Sequence, residues 1–330
     1  MNALNISPSY AQHPLEQLFR PTVATHPIER LADAINSALD VGYRGICIFG
    51  FARLGKSEAA NYLINHPEWL GDRKAAFVHM DAPDGHKRSD TTFFRMCMAL
   101  LGLRIPARGT QVELGDMVAG RMIEMCQNAG TRLIIVFIDE AQRLVPSDYE
   151  HLVTLDNRMT KAGYYLFVVF VNQRDITGFS NETIGSNEHP PHVTGRFLIR
   201  KHEFTGLVDI EEAAYVLSRY DDGTEWPPGS GISFTRHFVE QAFANGFLLS
   251  HYAARLWAMA SNLRSQARLP EHWTWPMKTF EATIVYLLTI IAPRTPQFES
   301  FTDSDLAEAL HASGFVELEL SRHTYKPKGN

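Results

Sequence analysis

The segment Gly50-Phe51-Ala52-Arg53-Leu54-Gly55-Lys56-Ser57 has the spacing GxxxxGK followed by Ser or Thr. That spacing suits the phosphates of a nucleoside triphosphate. The glycines let backbone N–H groups turn inward around phosphate oxygens, and Lys56 adds a point charge at the β- and γ-phosphates. The Ser57 hydroxyl is a ligand for magnesium, and a helix starting here would aim its free amides at the anion. A second constellation is Asp139-Glu140, directly after the apolar run 133–138. A buried strand would deliver Asp139 to the carboxyl end of a sheet, where it can hold the magnesium through water. Glu140 is then placed to orient or deprotonate an attacking water. A kinase needs its acceptor hydroxyl where that water sits, so the Asp-Glu pair favours hydrolysis. The alternative for the pair read alone is a strand end capped by two solvated carboxylates.

Two further positions follow along the chain. The apolar run 165–171 ends in Asn172-Gln173, and the Asn172 amide can hold the water or the γ-phosphate from the side opposite Glu140. An ordinary turn amide is the alternative. Arg196 and Arg200 lie just ahead of the last apolar run, and either can project across a subunit boundary as an arginine finger. Arg196 is the preferred one, with a surface ion pair as the alternative. Arg255, on a helix further on, is a weaker candidate for the γ-phosphate.

Positioning these groups requires a doubly covered parallel sheet. Short runs apolar on both faces occur at 45–49, 75–80, 133–138, 165–171 and 199–204, separated by segments of helical periodicity. After residue 207 the pattern changes to helices only, at 210–220, 235–244, 250–266, 278–291 and 304–313. The expected fold is α/β, a P-loop NTPase with a central parallel sheet and a C-terminal helical lid domain. The expected organisation is an N-terminal arm at 1–24, a nucleotide-binding α/β domain at 25–206, and a helical lid and C-terminal helical region at 207–330. The arm is broken by Pro8, Pro14 and Pro21 and reads as outside the core.

Composition narrows the function classes. The 330 residues are 45% hydrophobic and 21% charged, with a net charge of -6, which excludes intrinsic disorder and argues against a chain-wide polycation. Three cysteines, in no CxxC pair, argue against a disulfide framework or a zinc ribbon. The N-terminus lacks the basic and apolar blocks of a signal peptide, and the apolar stretch at 283–293 is too short to span a bilayer. The expectation is a cytoplasmic protein with no membrane partner. Trp226, Trp257, Trp273 and Trp275 read as packing rather than a base-stacking platform.

The order of P-loop, Asp-Glu strand, polar residue after the next strand, arginine and helical lid resembles the AAA+ ATPases over about residues 20–265. Within that superfamily the chain looks most like the TnsC/TniB transposition regulators. The carriers of that likeness are the lead-in Thr25-His26-Pro27, the Arg53-bearing P-loop, and Ile138-Asp139-Glu140-Ala141-Gln142-Arg143-Leu144. The last phrase recurs in related secretion ATPases. The resemblance implies an ATPase with ATP and Mg2+ bound by Gly50, Arg53, Gly55, Lys56, Ser57 and Asp139. It also implies a homo-oligomeric ring or helical filament around double-stranded DNA, contacting a TniQ-type targeting protein and a transposase. The short form is similar to the versions carried by CRISPR-associated transposons. A DNA-wrapping ring needs cations against phosphates. Lys87 and Arg88 come first for that surface, then Arg104 and Arg108. The alternatives are a secretion- or helicase-loader-type AAA+ ATPase and a small-molecule P-loop kinase.

Overall fold

Five parallel strands form the sheet that the apolar runs predict. The computed structural model describes residues 12–83, 89, 91–173 and 189–324. Two units divide the chain. One takes Ile28–Ala52 and Lys56–Phe204, the other Met1–Pro27, Arg53–Gly55 and Thr205–Asn330.

The first unit alternates strand and helix: α1 (His26–Asp40), β1 (Gly45–Gly50), α2 (Lys56–Asn65), β2 (Ala76–Asp81), α3 (Thr92–Leu100), α4 (Gln111–Asn128), β3 (Leu133–Asp139), α5 (Pro146–Lys161) and β4 (Tyr165–Gln173). A single turn, α6 (Pro191–Val193), runs into a π-helical turn at Thr194–Leu198 and then β5 (Lys201–Glu203). The sheet order is β2-β3-β4-β1-β5. The interior strands β1, β3 and β4 are buried on both faces because helices cover the sheet on each side. Ile134, Val136 and Ile138 of β3 share a core with Phe94 and Met98 of α3 and with Leu152, Leu155 and Met159 of α5. Helix α4 adds Leu114, Val118, Met122 and Cys126, one residue every four, so a single stripe faces that core. Its start is set by a capping box, in which the Thr110 hydroxyl accepts from the Glu113 N–H and the Glu113 carboxylate accepts from the Thr110 N–H. Strands β1 and β4 approach so closely at their start that a Cβ on Gly45 would lie 2.9 Å from the Val168 carbonyl oxygen. Strand β5 is shorter than the predicted 199–204 because Ile199 keeps helical torsions at the end of the π-helical turn, so the ladder begins at Lys201.

The second unit is helical: α7 (Ile210–Asp221), α8 (Phe234–Phe238), α9 (Glu240–Ala244), α10 (Ala253–Gln266), α11 (Met277–Tyr286), α12 (Ala292–Arg294), α13 (Asp303–Ala312) and α14 (Phe315–Thr324). The helix predicted from residue 250 begins as a 3-10 turn, Leu249–Tyr252, whose Leu249 and Ser250 N–H groups donate to the Asp221 carboxylate. The helix predicted over 278–291 passes into a π-helical turn at Leu287–Ile291. Helix α14 was not legible as an element. It is held by the buried Glu319, which pairs with Arg264 of α10 and with Arg322. Trp257 stacks on Trp273 at 4.7 Å and Trp275 is fully buried, so these rings build the core.

One expectation needs correction. The segment before residue 25 does not lie outside the core in its described part. Pro14–Glu16 forms a 3-10 turn, and Leu15 (1% exposed) and Val23 (8%) enter the helical unit's core beside Tyr220, Phe234 and Leu256. Prolines forbid a helix or a central strand there, but they do not prevent an irregular strap from inserting apolar side chains.

His13 fastens the same strap. Its ring stacks on His237 at 4.4 Å and meets Phe234 and Phe238 edge-on, while its Nδ1 accepts from the Leu15 N–H. Burial, helped by His237, lowers the imidazole from its ordinary 6.5 to about 4. The folded state therefore prefers the neutral ring. The stability this contributes is complete above about pH 6.5 and drains away as the pH falls toward 4. Between pH 7 and pH 5 the loss is roughly 2 kcal/mol. Urea titrations at those two pH values should show it, and His13→Phe should remove most of the difference; an undiminished difference would assign the acid sensitivity elsewhere.

Candidate nucleotide site

The P-loop bridges the end of β1 and the start of α2. Its turn needs two residues with positive φ, Arg53 at 64° and Gly55 at 102°. The first is a non-glycine residue in the left-handed region, a strain that recurs at ligand clamps. Leu54 between them is buried. The Lys56 ammonium donates to the carbonyls of Gly50 (2.8 Å) and Phe51 (2.7 Å), so the cation sits over the loop rather than in solvent. Lys56 and Ser57 open α2, where the first turn leaves amide hydrogens for an anion.

The sheet order brings the other candidates to the same edge. Strand β4 lies between β1 and β3. Gly50 of β1 is opposite Gln173 of β4, and Phe49 is opposite Asn172. On the other side Ile138 of β3 is opposite Phe170, and Asp139 follows it. The polar end of β4 therefore separates the P-loop strand from the acidic strand. Asn172 is 6% exposed, and its amide donates to the Ile48 and Phe170 carbonyls at 3.2 Å each.

Asp139 is 8% exposed and its Oδ1 accepts from the Glu140 N–H at 2.8 Å. Its backbone carbonyl accepts from the Ala82 N–H, which fixes the end of β3 against β2. Glu140 has φ 51° and ψ 36°, a left-handed conformation that turns the chain sharply out of the strand into a 3-10 turn, Ala141–Arg143. The Glu140 Oε2 accepts from the Gln142 amide at 2.6 Å and lies 3.6 Å from an Arg143 guanidinium nitrogen. The Ser57 hydroxyl and Asp139 carboxylate are hard oxygen donors, the chemistry that Mg2+ requires.

The arginines lie otherwise. Arg196, on the π-helical turn, donates to Asp156 (3.0 Å) and Asn157 (2.8 Å) of α5 in its own chain. The Asp156 side chain is 4% exposed and is also 3.6 Å from Arg44. Burial pushes the Asp156 carboxyl up, and Arg44 and then Arg196 pull it back. Arg200 donates to the Ser37 hydroxyl at 3.1 Å and lies over the Tyr43 ring. Arg255 is held within the helical unit by Asp303 (2.5 Å) and the Phe301 carbonyl (3.4 Å). Arg104 and Arg108 are exposed in the link between α3 and α4. Lys87 and Arg88 lie outside the described residues.

Gln142 is a contact the sequence reading did not assign. Its amide nitrogen reaches Glu140, and its Oε1 accepts from the backbone N–H of Gln173 at 3.0 Å. An amide two residues after an Asp-Glu pair was the only local signal.

A P-loop, an acidic strand end one strand removed from it, and a five-stranded parallel sheet define an AAA+ P-loop NTPase fold, followed here by a helical C-terminal region. Residues 40–178 match the family model described as AAA domain, a span that includes the P-loop, Asp139, Glu140 and Asn172. The sequence has no significant match among curated proteins. Among solved structures, Drosophila ORC bound to DNA is similar at 12% identity and TM-score 0.46, over 90% of this chain and 73% of that one. Cdc6p from Pyrobaculum aerophilum is similar at 13% identity and TM-score 0.43, over 96% and 86%. The Aeropyrum pernix ORC2 protein in its ADP form gives 14% and 0.43, over 96% and 85%. Among the described residues no helix is long and apolar enough to cross a membrane.

Proposed function

We propose that this protein is an ATP-hydrolysing, DNA-binding regulator of DNA transposition of the TnsC/TniB kind. In this reading it oligomerises on double-stranded DNA when ATP is bound and links a TniQ-type targeting protein to a transposase. Hydrolysis then drives disassembly. The observation that carries the ATPase part is the gathering of the P-loop, Asp139-Glu140 and Asn172 along one edge of the sheet. The transposition part rests on the resemblance of the P-loop and the IDEAQRL segment.

In this scheme Lys56 and the loop amides hold the phosphates, and Glu140 takes a proton from the attacking water. Asn172 orients that water or the γ-phosphate. Bound Mg2+ would neutralise charge on the β- and γ-phosphate oxygens, held by Ser57 and, through water, by Asp139. Arg196, or else Arg200, completes a neighbour's site; for Arg196 this means exchanging its bonds to Asp156 and Asn157 for the neighbour's γ-phosphate. Arg44 stays with Asp156 in that exchange, so the buried carboxylate keeps a counter-charge.

The test is DNA binding with ATP, a slowly hydrolysed ATP analogue, ADP and no nucleotide, with the products imaged directly. Rings or filaments only with the triphosphates are expected. ATP turnover without assembly or DNA binding would sink the regulator and return the P-loop to a small-molecule enzyme. Integration of donor DNA that proceeds without the protein would favour a secretion or loader ATPase.

The DNA contacts have their own readout. If Lys87 and Arg88 each neutralise a phosphate, replacing both by alanine should reduce the slope of log affinity against log salt by about 1.8 per subunit. An unchanged slope removes that loop from the interface and leaves Arg104 and Arg108.

A further inference from the structure

We infer that Gln142 is a positioning residue that holds the Glu140 carboxylate and couples it to the end of β4. The inference rests on the hydrolytic reading of Glu140 given above.

The orientation of the Gln142 amide follows from its partners. A backbone N–H can only donate, so the atom that Gln173 N–H meets at 3.0 Å must be the Gln142 oxygen. The amide nitrogen is then the atom 2.6 Å from the Glu140 Oε2, where a carboxylate accepts it. One side chain thus spans the tip of β3 and the tip of β4, using both ends of its amide.

The backbone makes this span possible. Glu140 in the left-handed region folds the chain back, and the 3-10 turn Ala141–Arg143 sets Gln142 two residues on, beside its own Glu140. Ala141 is fully buried and anchors the turn from beneath. Gln142 itself is exposed, so its bonds compete with water, and the geometry of the turn is what keeps them in register.

The consequence concerns how the site senses its ligand. Gln173 directly follows Asn172, the amide proposed to meet the γ-phosphate. A shift of the β4 tip on engaging that phosphate moves the Gln173 N–H, and through Gln142 it moves one oxygen of Glu140. Arg143 also lies 3.6 Å from the same oxygen. Gln142 touches neither nucleotide nor water in this account; it acts through Glu140.

Gln142→Glu tests this with little change in shape. Its carboxylate still accepts from the Gln173 N–H, but the donor to Glu140 is replaced by a like charge. The full chain should keep its affinity for a fluorescent ATP analogue within about twofold, while kcat falls about tenfold. In a Glu140→Gln background the same change should cost nothing further, because the charge it acts upon is gone. An equal fall in both backgrounds, or a loss of nucleotide affinity matching the loss of kcat, would overturn the inference. Absence of any ATP turnover by the wild-type chain would instead overturn the hydrolytic reading, and this inference with it.

Discussion

Lys56→Ala should abolish nucleotide-dependent assembly on DNA. The Lys56 ammonium is held at 2.8 and 2.7 Å by the Gly50 and Phe51 carbonyls, so it is already confined to the mouth of the loop. A triphosphate arriving there gains a fixed cation with little further ordering cost. Removing one partner of such a charge contact costs about 2–5 kcal/mol, or between thirtyfold and several thousandfold in affinity. The variant also leaves two loop carbonyls without this donor, worth about 1 kcal/mol of local stability. A control for folding is therefore the urea midpoint, which should move only slightly. The decisive measurement is imaging of the variant with DNA and ATP. Normal filaments would sink the assignment of the P-loop as the switch for assembly.

Glu140→Gln should separate binding from turnover. The substitution keeps the shape of the side chain and an oxygen to accept from Gln142, but it removes the base. General-base catalysis contributes about 10²–10⁴ in rate, so turnover should fall by that factor while ATP affinity is kept. Assembled protein would then persist on DNA long after wild-type protein has dispersed. Single-turnover hydrolysis and the lifetime of the assemblies are the two readouts. Rapid dispersal of the variant would show that disassembly does not wait for hydrolysis, and unchanged turnover would remove Glu140 from the chemistry.

Much of this arrangement depends on features that differ in range. Strands β1, β3 and β4 were legible because each is a continuous apolar run bounded by turn residues, a pattern contained in six to nine neighbouring positions. The strap at 12–24 was not. Its prolines say what it cannot be, while the burial of Leu15 and Val23 depends on helices that begin far away in sequence, from Ile210 onward. The π-helical turn at Thr194–Leu198 and the 3-10 start at Leu249–Tyr252 also escaped the periodicity. The first continues α6 toward β5 with no helical repeat of its own, and the second opens α10 where the Asp221 carboxylate of α7 accepts two N–H groups.

The sequence by itself determined the class of chemistry and the sheet that supports it. The P-loop spacing and the Asp-Glu pair are local patterns, and their function follows from backbone torsions and side-chain types within a few residues. Only the tertiary structure decided the order β2-β3-β4-β1-β5, which sets Asn172 between the P-loop and Asp139. It alone paired Arg196 with Asp156, and Gln142 with Glu140 and Gln173. Strand order and polar pairing depend on which distant segments pack together, and a chemical type at one position is compatible with many partners until packing selects one.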